Sequence, residues 1–341
     1  AVSLAPVYES DIKVLAEAGY ADYDEYSRSY SYTGKPYGEG ILTESIDYLR
    51  GCGLFTVEGG ISGRNAATPL YYWDMLPEVF NAFKDVYILD YHFNINEYRY
   101  YMEKHEMPYS QVYVSKGPDG AYRLTDNETE KYTPEYLSHL GDFITIAGLD
   151  RGSGGSIGRA ESDLTRQWYS VDGKRNAEVA RNRIRRFFRQ DGLPSSKCMW
   201  TTFRGYEGEF LPNGFASGFV SPDTRGTLLY SNKEQLAYCV NLYPTPSEYK
   251  YINSLGYSLD PDEYALVNMV KWIWRSRIRN GEHIHILIPS LRMKGLFVNW
   301  IGDIQGSPYT RSDYDHILFA KRSKLEKYRI SRAIQSKTKK A

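Results

Sequence analysis

The stretch DPDEYALVNMVKWIWRSRIRNGEHIHILIP, residues 260–289, sets a helix and a strand end to end. Asp260 can cap the helix, Pro261 suits its first turn, and Glu263 completes a capping box. The run YALVNMVKWIWRSRIR then carries the helix to Gly281, where a left-handed terminus is natural. Leu266, Met269, Val270 and Ile273 supply the buried flank. HIHILIP, residues 283–289, is a short apolar run of strand length bounded by turn residues.

On that helix Lys271, Arg275 and Arg279 fall at i, i+4 and i+8, a cationic line of roughly 12 Å at 1.5 Å per residue. Like charges at that spacing repel one another. Two readings account for them: an anion seated opposite, or a solvated face whose arginines complement the helix dipole.

Working outward, KCMWTTF (197–203) and SGFVS (217–221) are further apolar runs of strand length. Helical stretches such as EQLAYCVNLY (234–243) separate them, which predicts a parallel sheet wound with helices. NAEVARNRIRRFFR (176–189) reads as one helix with Val179, Ile184 and Phe187 or Phe188 inward and Arg181, Arg185 and Arg189 aligned at i, i+4 and i+8. PEYLSHLG leads into the strand FITIAGL (143–149). The glycine- and serine-rich RGSGGSIGR (151–159) lacks the GK[ST] ending of a P-loop and reads as a connector.

Nearer the N-terminus, residues 1–50 read as mixed helix and loop. DIKVLAEAG is a short amphipathic helix stopped by Gly19, and SRSYSYTGKPYGEG (27–40) is a polar loop. LPEVFNAFKD (76–85) is a helix that runs into the strand VYILDYHF (86–93), a sequence of elements typical of α/β proteins. NEYRYYMEKHE forms a helix, and QVYVSKGPDGAYRL (111–124) a hairpin turning at GPDG.

The 341 residues are 42% hydrophobic and 25% charged, enough for one large core or two ordinary ones. No run approaches the roughly 18 apolar residues that cross a bilayer, and no signal-peptide pattern opens the chain, so an intracellular protein without a membrane partner is expected. Cys52, Cys198 and Cys239 form no CxxC or Cys/His cluster and read as reduced core thiols. His283 and His285 share a strand face, but no acid or cysteine falls at complementary spacing, so no metal site is expected. The acids fall into no recognisable pair for a sugar hydrolase, and that class would leave the arginine helix unexplained.

Several of these stretches occur in an order and spacing that resembles the C-terminal half of phage- and mobile-element-borne helicases of the DEAD/DEAH-like kind. They are KCMWTTF, the GFVS run with Arg225 and Thr227 behind it, LAYCVNLYPTP (236–246), DEYALVNMVKWIWRSRIRNGE (262–282) and IPSLRM (288–293). LRGCGLFTVEGG (49–60) and LPEVFNAFKDVYILDYHFN (76–94) are similar to the part of those proteins that follows the Walker B acid. The pattern departs at Lys271, where glutamine is expected, at Pro222 and Asp223, where Cys-Asn is expected, and at Asp90, which replaces a threonine. No GxxxxGK[ST] is present, and Gly34-Lys35 precedes a proline.

The resemblance implies an α/β fold: a RecA-like parallel sheet forming a second motor lobe over 98–320, preceded over 1–97 by the mostly helical tail end of a first lobe. A basic tail, 321–341, follows. It further implies that Arg275 and Arg279 act as arginine fingers on a nucleotide's γ-phosphate. Arg225 and Thr227 fall in the motif that couples nucleotide to track. Arg181, Arg185 and Arg189, with Lys321, Arg322 and Lys324 of the tail, are the expected contacts to DNA or RNA. Without Walker A the chain is not expected to hydrolyse ATP alone; ATP and Mg²⁺ are expected only with a partner N-terminal RecA-like lobe, in the same longer chain or a separate subunit. The expected setting is the cytoplasm of a bacterial or phage-infected cell. A non-catalytic nucleic-acid-binding protein descended from such a helicase is the alternative.

Overall fold

Two compact units divide the chain: residues Ala1–Gln111 with Pro244–Pro261, and Val112–Tyr243 with Asp262–Ala341. The computed structural model describes residues 3–4, 7–24, 29–51, 53–61, 68–74, 77–147, 157–190, 192–210, 214–222, 224 and 227–309.

The first unit opens with β1 (Ser3–Leu4), α1 (Glu9–Glu17), β2 (Ala21–Asp24), β3 (Ser29–Tyr32), α2 (Thr43–Gly51), β4 (Gly53–Ile61) and β5 (Thr68–Asp74). Its five strands run antiparallel in the order β1-β5-β4-β3-β2. Ile12 and Leu15 of α1 and Ile46 and Leu49 of α2 are buried together with Val7, Ala21 and Tyr30. As expected, α1 stops at Gly19, whose φ of +76° suits glycine. Residues 27–40 are not all loop, however. In SYSY, Tyr30 is buried and Ser31 exposed, a period of two that its polar composition concealed.

Next come α3 (Glu78–Asn81) and α4 (Glu97–Lys104), the latter capped by Asn96, which accepts from the Tyr98 amide at 2.8 Å. The expected strand at 86–93 does not form. The Asp90 carboxylate accepts from the His92 amide at 3.0 Å and from the Asn96 side chain, turning the chain into the 3₁₀ segment Phe93–Ile95. Leu89 is left 94% exposed.

The second unit begins with the expected hairpin, β6 (Tyr113–Lys116) and β7 (Tyr122–Thr125), whose turn places Gly120 at φ +77°. A 3₁₀ segment, Glu135–Phe143, then feeds β8 (Ile144–Ile146), followed by α5 (Arg166–Val171), α6 (Gly173–Gln190), β9 (Cys198–Thr201), α7 (Glu207–Phe210) and β10 (Gln235–Tyr238). After α8 (Pro246–Ser254) in the first unit, the chain forms α9 (Pro261–Ile273), β11 (Ile284–Leu287) and α10 (Leu291–Gln305).

β8, β11, β10 and β9 lie side by side in that order and are all parallel. All four residues of β9 and of β10 are buried, as befits strands covered on both faces. Trp200, Trp272, Tyr169, Tyr238, Phe188, Phe210 and Phe297 are among the large side chains sealed in this core.

Two expectations change here. EQLAYCVNLY is not helical; it holds β10, because a short apolar run buried on both faces has no period that separates strand from helix. SGFVS supplies a 3₁₀ turn, Ala216–Gly218, and one parallel bridge from Phe219 to Trp200, with the Val220 amide on the Trp200 carbonyl at 2.9 Å.

The long helix of 260–281 is also shorter than expected. α9 ends at Ile273 because the buried Ser276 hydroxyl donates to the Ile273 carbonyl at 2.7 Å while its own backbone turns extended. A separate 3₁₀ turn, Arg277–Asn280, closes at Gly281 with φ +70°. Arg275 and Arg279 therefore do not continue one α-helical line from Lys271.

Candidate nucleic-acid interface

α6 segregates charge. Ala177, Ala180, Ile184, Phe187 and Phe188 form its buried face, and Asn176 anchors it by donating to the Trp168 carbonyl at 2.7 Å. The remaining arc bears seven basic side chains: Lys174, Arg175, Arg181, Arg183, Arg185, Arg186 and Arg189, against the single acid Glu178. Of the three aligned arginines, Arg189 is exposed and Arg181 and Arg185 are half-buried. Arg181 lies 3.8 Å from Glu178 and donates to the Glu209 carbonyl at 3.5 Å, both long contacts. The Arg185 Nε is sealed from solvent without a hydrogen-bond acceptor among the described residues. In a chain with 42 basic and 42 acidic residues, this concentration is a local choice.

The arginine loop after α9 sits at the amino edge of the parallel sheet. Arg277 joins it there: its Nη1 meets Glu234 at 2.5 Å, its Nε donates to the His283 carbonyl, and its amide donates to the Lys233 carbonyl at 3.2 Å. Glu234 precedes β10, and its amide donates to the Lys197 carbonyl at 2.8 Å, just ahead of β9. Lys233 donates to the Ser196 carbonyl at 2.9 Å, and burial pushes its ammonium below the ordinary value. Sequence reading missed Arg277 and Glu234; a charge 43 positions away from its partner leaves no periodic trace.

Arg275 and Arg279 have different surroundings. Arg275 is 8% exposed, and its Nη1 donates to the Lys271 carbonyl at 2.9 Å, closing the C-terminus of α9. Arg279 is exposed and lies near Tyr136, whose phenol burial pushes up against the opposing effects of Trp274 and Arg279. Thr227 uses its hydroxyl to accept from the Leu229 amide at 3.2 Å. Arg225, Lys321, Arg322 and Lys324 lie outside the described residues, as do most of RGSGGSIGR and the basic tail.

At the carboxyl edge, the usual ligand end of a wound parallel sheet, Arg292 forms the hub. Its Nε contacts Asp262 at 2.8 Å; its Nη1 donates to the Leu242 carbonyl at 2.7 Å and to Asn241 at 3.0 Å. Its guanidinium stacks over the Tyr243 ring at 3.9 Å. Asn241 in turn donates to the Glu161 and Asp163 carbonyls at 2.8 and 3.1 Å, and Asp163 accepts the Gly158 amide at 2.8 Å.

Whether this edge suits a nucleotide phosphate is decided by the amides that open α10. The Leu291 amide is taken by the Gly158 carbonyl at 2.8 Å, the Met293 amide by the Ser290 hydroxyl at 3.3 Å, and the Lys294 amide by the Ser290 carbonyl at 2.9 Å. A Cβ on Gly158 would lie 2.0 Å from the Pro289 carbonyl oxygen, so that loop is closed tightly onto the helix. The described residues thus do not fit a phosphate cradle at this helix end, and they contain no group of three His, Cys, Asp or Glu placed for a metal.

Parallel strands ordered β8-β11-β10-β9 between helices define a Rossmann-like α/β domain, and residues 138–301 match the family model described as the YonV C-terminal Rossmann-like domain. The chain is 30% identical over 233 residues to the SPbeta prophage-derived uncharacterized protein YonV of Bacillus subtilis (strain 168). That similarity covers 67% of this chain and 55% of the relative, so the chain spans about half the length of the curated relative it matches. No solved structure matches the chain. Among the described residues no helix is long and apolar enough to cross a membrane.

Proposed function

We propose that this chain is a nucleic-acid-binding Rossmann-like lobe of a helicase or translocase, gripping DNA or RNA backbone with α6 and presenting Arg279 toward a nucleotide held by a partner lobe. The observation that carries the reading is the arc of α6 outside its buried face, seven cations, of which Lys174, Arg175, Arg186 and Arg189 are exposed, against Glu178 in a chain of zero formal charge. Phosphate neutralisation with counterion release is the interaction such an arc favours. Similarity to a prophage-derived protein and the resemblance of 262–282 to the arginine motif of phage helicases support the motor setting. Under this reading ATP and Mg²⁺ come with the partner lobe, and the tail (Lys321, Arg322, Lys324) with Arg225 and Thr227 adds track contacts in the bacterial or phage-infected cytoplasm.

A second reading, binding without catalysis, is favoured by Arg275. Its guanidinium closes its own helix rather than reaching outward. Filter binding of single- and double-stranded oligonucleotides tests the shared part: an Arg185→Glu, Arg186→Glu, Arg189→Glu variant should lose retention. Equal retention by folded variant and wild type would defeat both readings. Loss of partner-lobe-dependent ATPase on Arg279→Ala, with binding intact, selects the motor reading; unchanged ATPase selects the second.

A further inference from the structure

The β6–β7 hairpin is an incomplete sheet. Two strands alone are marginal in water unless a third strand or a packed face supports them. Here Val114, Leu124 and Tyr122 share one face, at 44%, 57% and 60% exposure, with the Lys116 ammonium 5.6 Å from the Tyr122 ring and the Tyr132 ring edge-on to it at 5.4 Å. The Val114 carbonyl accepts the Tyr132 amide at 2.7 Å, so the polar backbone of Val114 faces away from β7. Alternation then makes Val114–Leu124 and Lys116–Tyr122 the non-hydrogen-bonded pairs of the ladder. The N–H and C=O groups of Tyr122 and Leu124 therefore point out of the edge of β7 opposite β6, where no strand pairs among the described residues, and β7 itself carries no proline or lysine.

We infer that β7 is a self-association edge, on which β7 of a second copy adds antiparallel about a two-fold axis at Arg123. The outward-facing groups fix the register: Tyr122 of each copy exchanges backbone hydrogen bonds with Leu124 of the other. Both apolar side chains then meet on the face already occupied by Val114, giving a tyrosine–leucine pair twice over. Charge is also compatible. Arg123 lies at the axis on the opposite face, and each copy brings its own counter-charge, Asp119, whose Oδ1 accepts from the Arg123 Nη1 at 3.0 Å. Such a contact is isologous and closes as a dimer with a four-stranded sheet β6-β7-β7-β6.

The test is sedimentation velocity of the full chain from about 1 to 100 µM, a range suited to a small interface, with the wild type and Leu124→Lys compared and thermal melts confirming that both fold. We expect the wild type to shift to dimer mass and Leu124→Lys to remain monomeric, with a dissociation constant at least about tenfold higher. Hydrogen exchange should slow at the Tyr122 and Leu124 amides as concentration rises, in the wild type only. A wild type that stays monomeric at the top concentration overturns the inference. So does a dimer that survives Leu124→Lys while those two amides exchange freely, which would move the contact to another surface such as the exposed run at 86–89.

Discussion

Arg277 and Glu234 form a 2.5 Å ion pair that fastens the arginine loop following α9 to the amino edge of the parallel sheet. Both side chains are largely withdrawn from solvent, so the pair is screened less than a surface bridge. We expect Glu234→Gln and Arg277→Met each to lower unfolding free energy by about 1–3 kcal/mol. A double-mutant cycle by urea denaturation should give a coupling energy, and additive losses would show that the pair does not hold the loop.

Gly158 offers the sharpest backbone test. At φ +85°, with the Pro289 carbonyl where a Cβ would stand, Gly158→Ala must shift the loop away from α10. We expect a loss of about 2–4 kcal/mol in chemical denaturation, among the larger single-residue effects. A loss below about 0.5 kcal/mol, the scale of an ordinary surface change, would show that the loop gives way freely.

Arg292→Lys is expected to behave almost like Arg292→Met. The planar fork that reaches Asp262, Asn241 and Leu242 while stacking on Tyr243 has no lysine equivalent. Both variants should melt several degrees lower, and full rescue by lysine would show that charge alone matters at this edge.

Much of this architecture is readable from residues. The glycine stop of α1, the side-chain spacing of α6, the GPDG hairpin and the apolar runs of β8, β9 and β11 all declare themselves locally. β10 does not, since its strand, buried on both faces and without alternation, lies in the ten-residue run EQLAYCVNLY, which is long enough for a helix. The break at Ser276 was hidden because its hydroxyl competes for a helix carbonyl only in a buried setting. Strand β3 of the first unit was obscured by its SYSY sequence, in which tyrosine and serine alternate with little hydropathy contrast. Of the candidate site, the arginines of α6 were legible from spacing, while the Arg277–Glu234 fastening and the Arg292 hub join residues far apart in sequence.

Acid sensitivity should trace to Glu103 in the first unit. Burial pushes its carboxyl up, but bonds from Tyr257, Arg99 and Tyr109 outweigh that effect and hold it below the ordinary 4.5. A lowered carboxyl contributes stability that is present above its unfolded value and is lost as pH falls through the folded one. Glu103→Gln should therefore flatten the decline in stability below about pH 5; an unchanged acid limb would assign the decline elsewhere.

Cys239 should resist thiol reagents. Burial pushes its thiol from 9.0 up to about 12, so almost no thiolate exists near neutrality. Because the folded value is raised, its contribution to stability is complete below 9.0 and declines as pH rises toward the folded value. Labelling at pH 8 should reach Cys239 only after unfolding, and rapid native labelling would contradict its burial.

The central claim is that α6 neutralises nucleic-acid phosphates, and the salt dependence of binding measures this most directly. Plotting log affinity against log salt for a duplex oligonucleotide, we expect a steep negative slope that becomes shallower by about 2–3 when Arg185, Arg186 and Arg189 are replaced by alanine. An identical slope for wild type and variant, or no measurable binding at low salt, would contradict it.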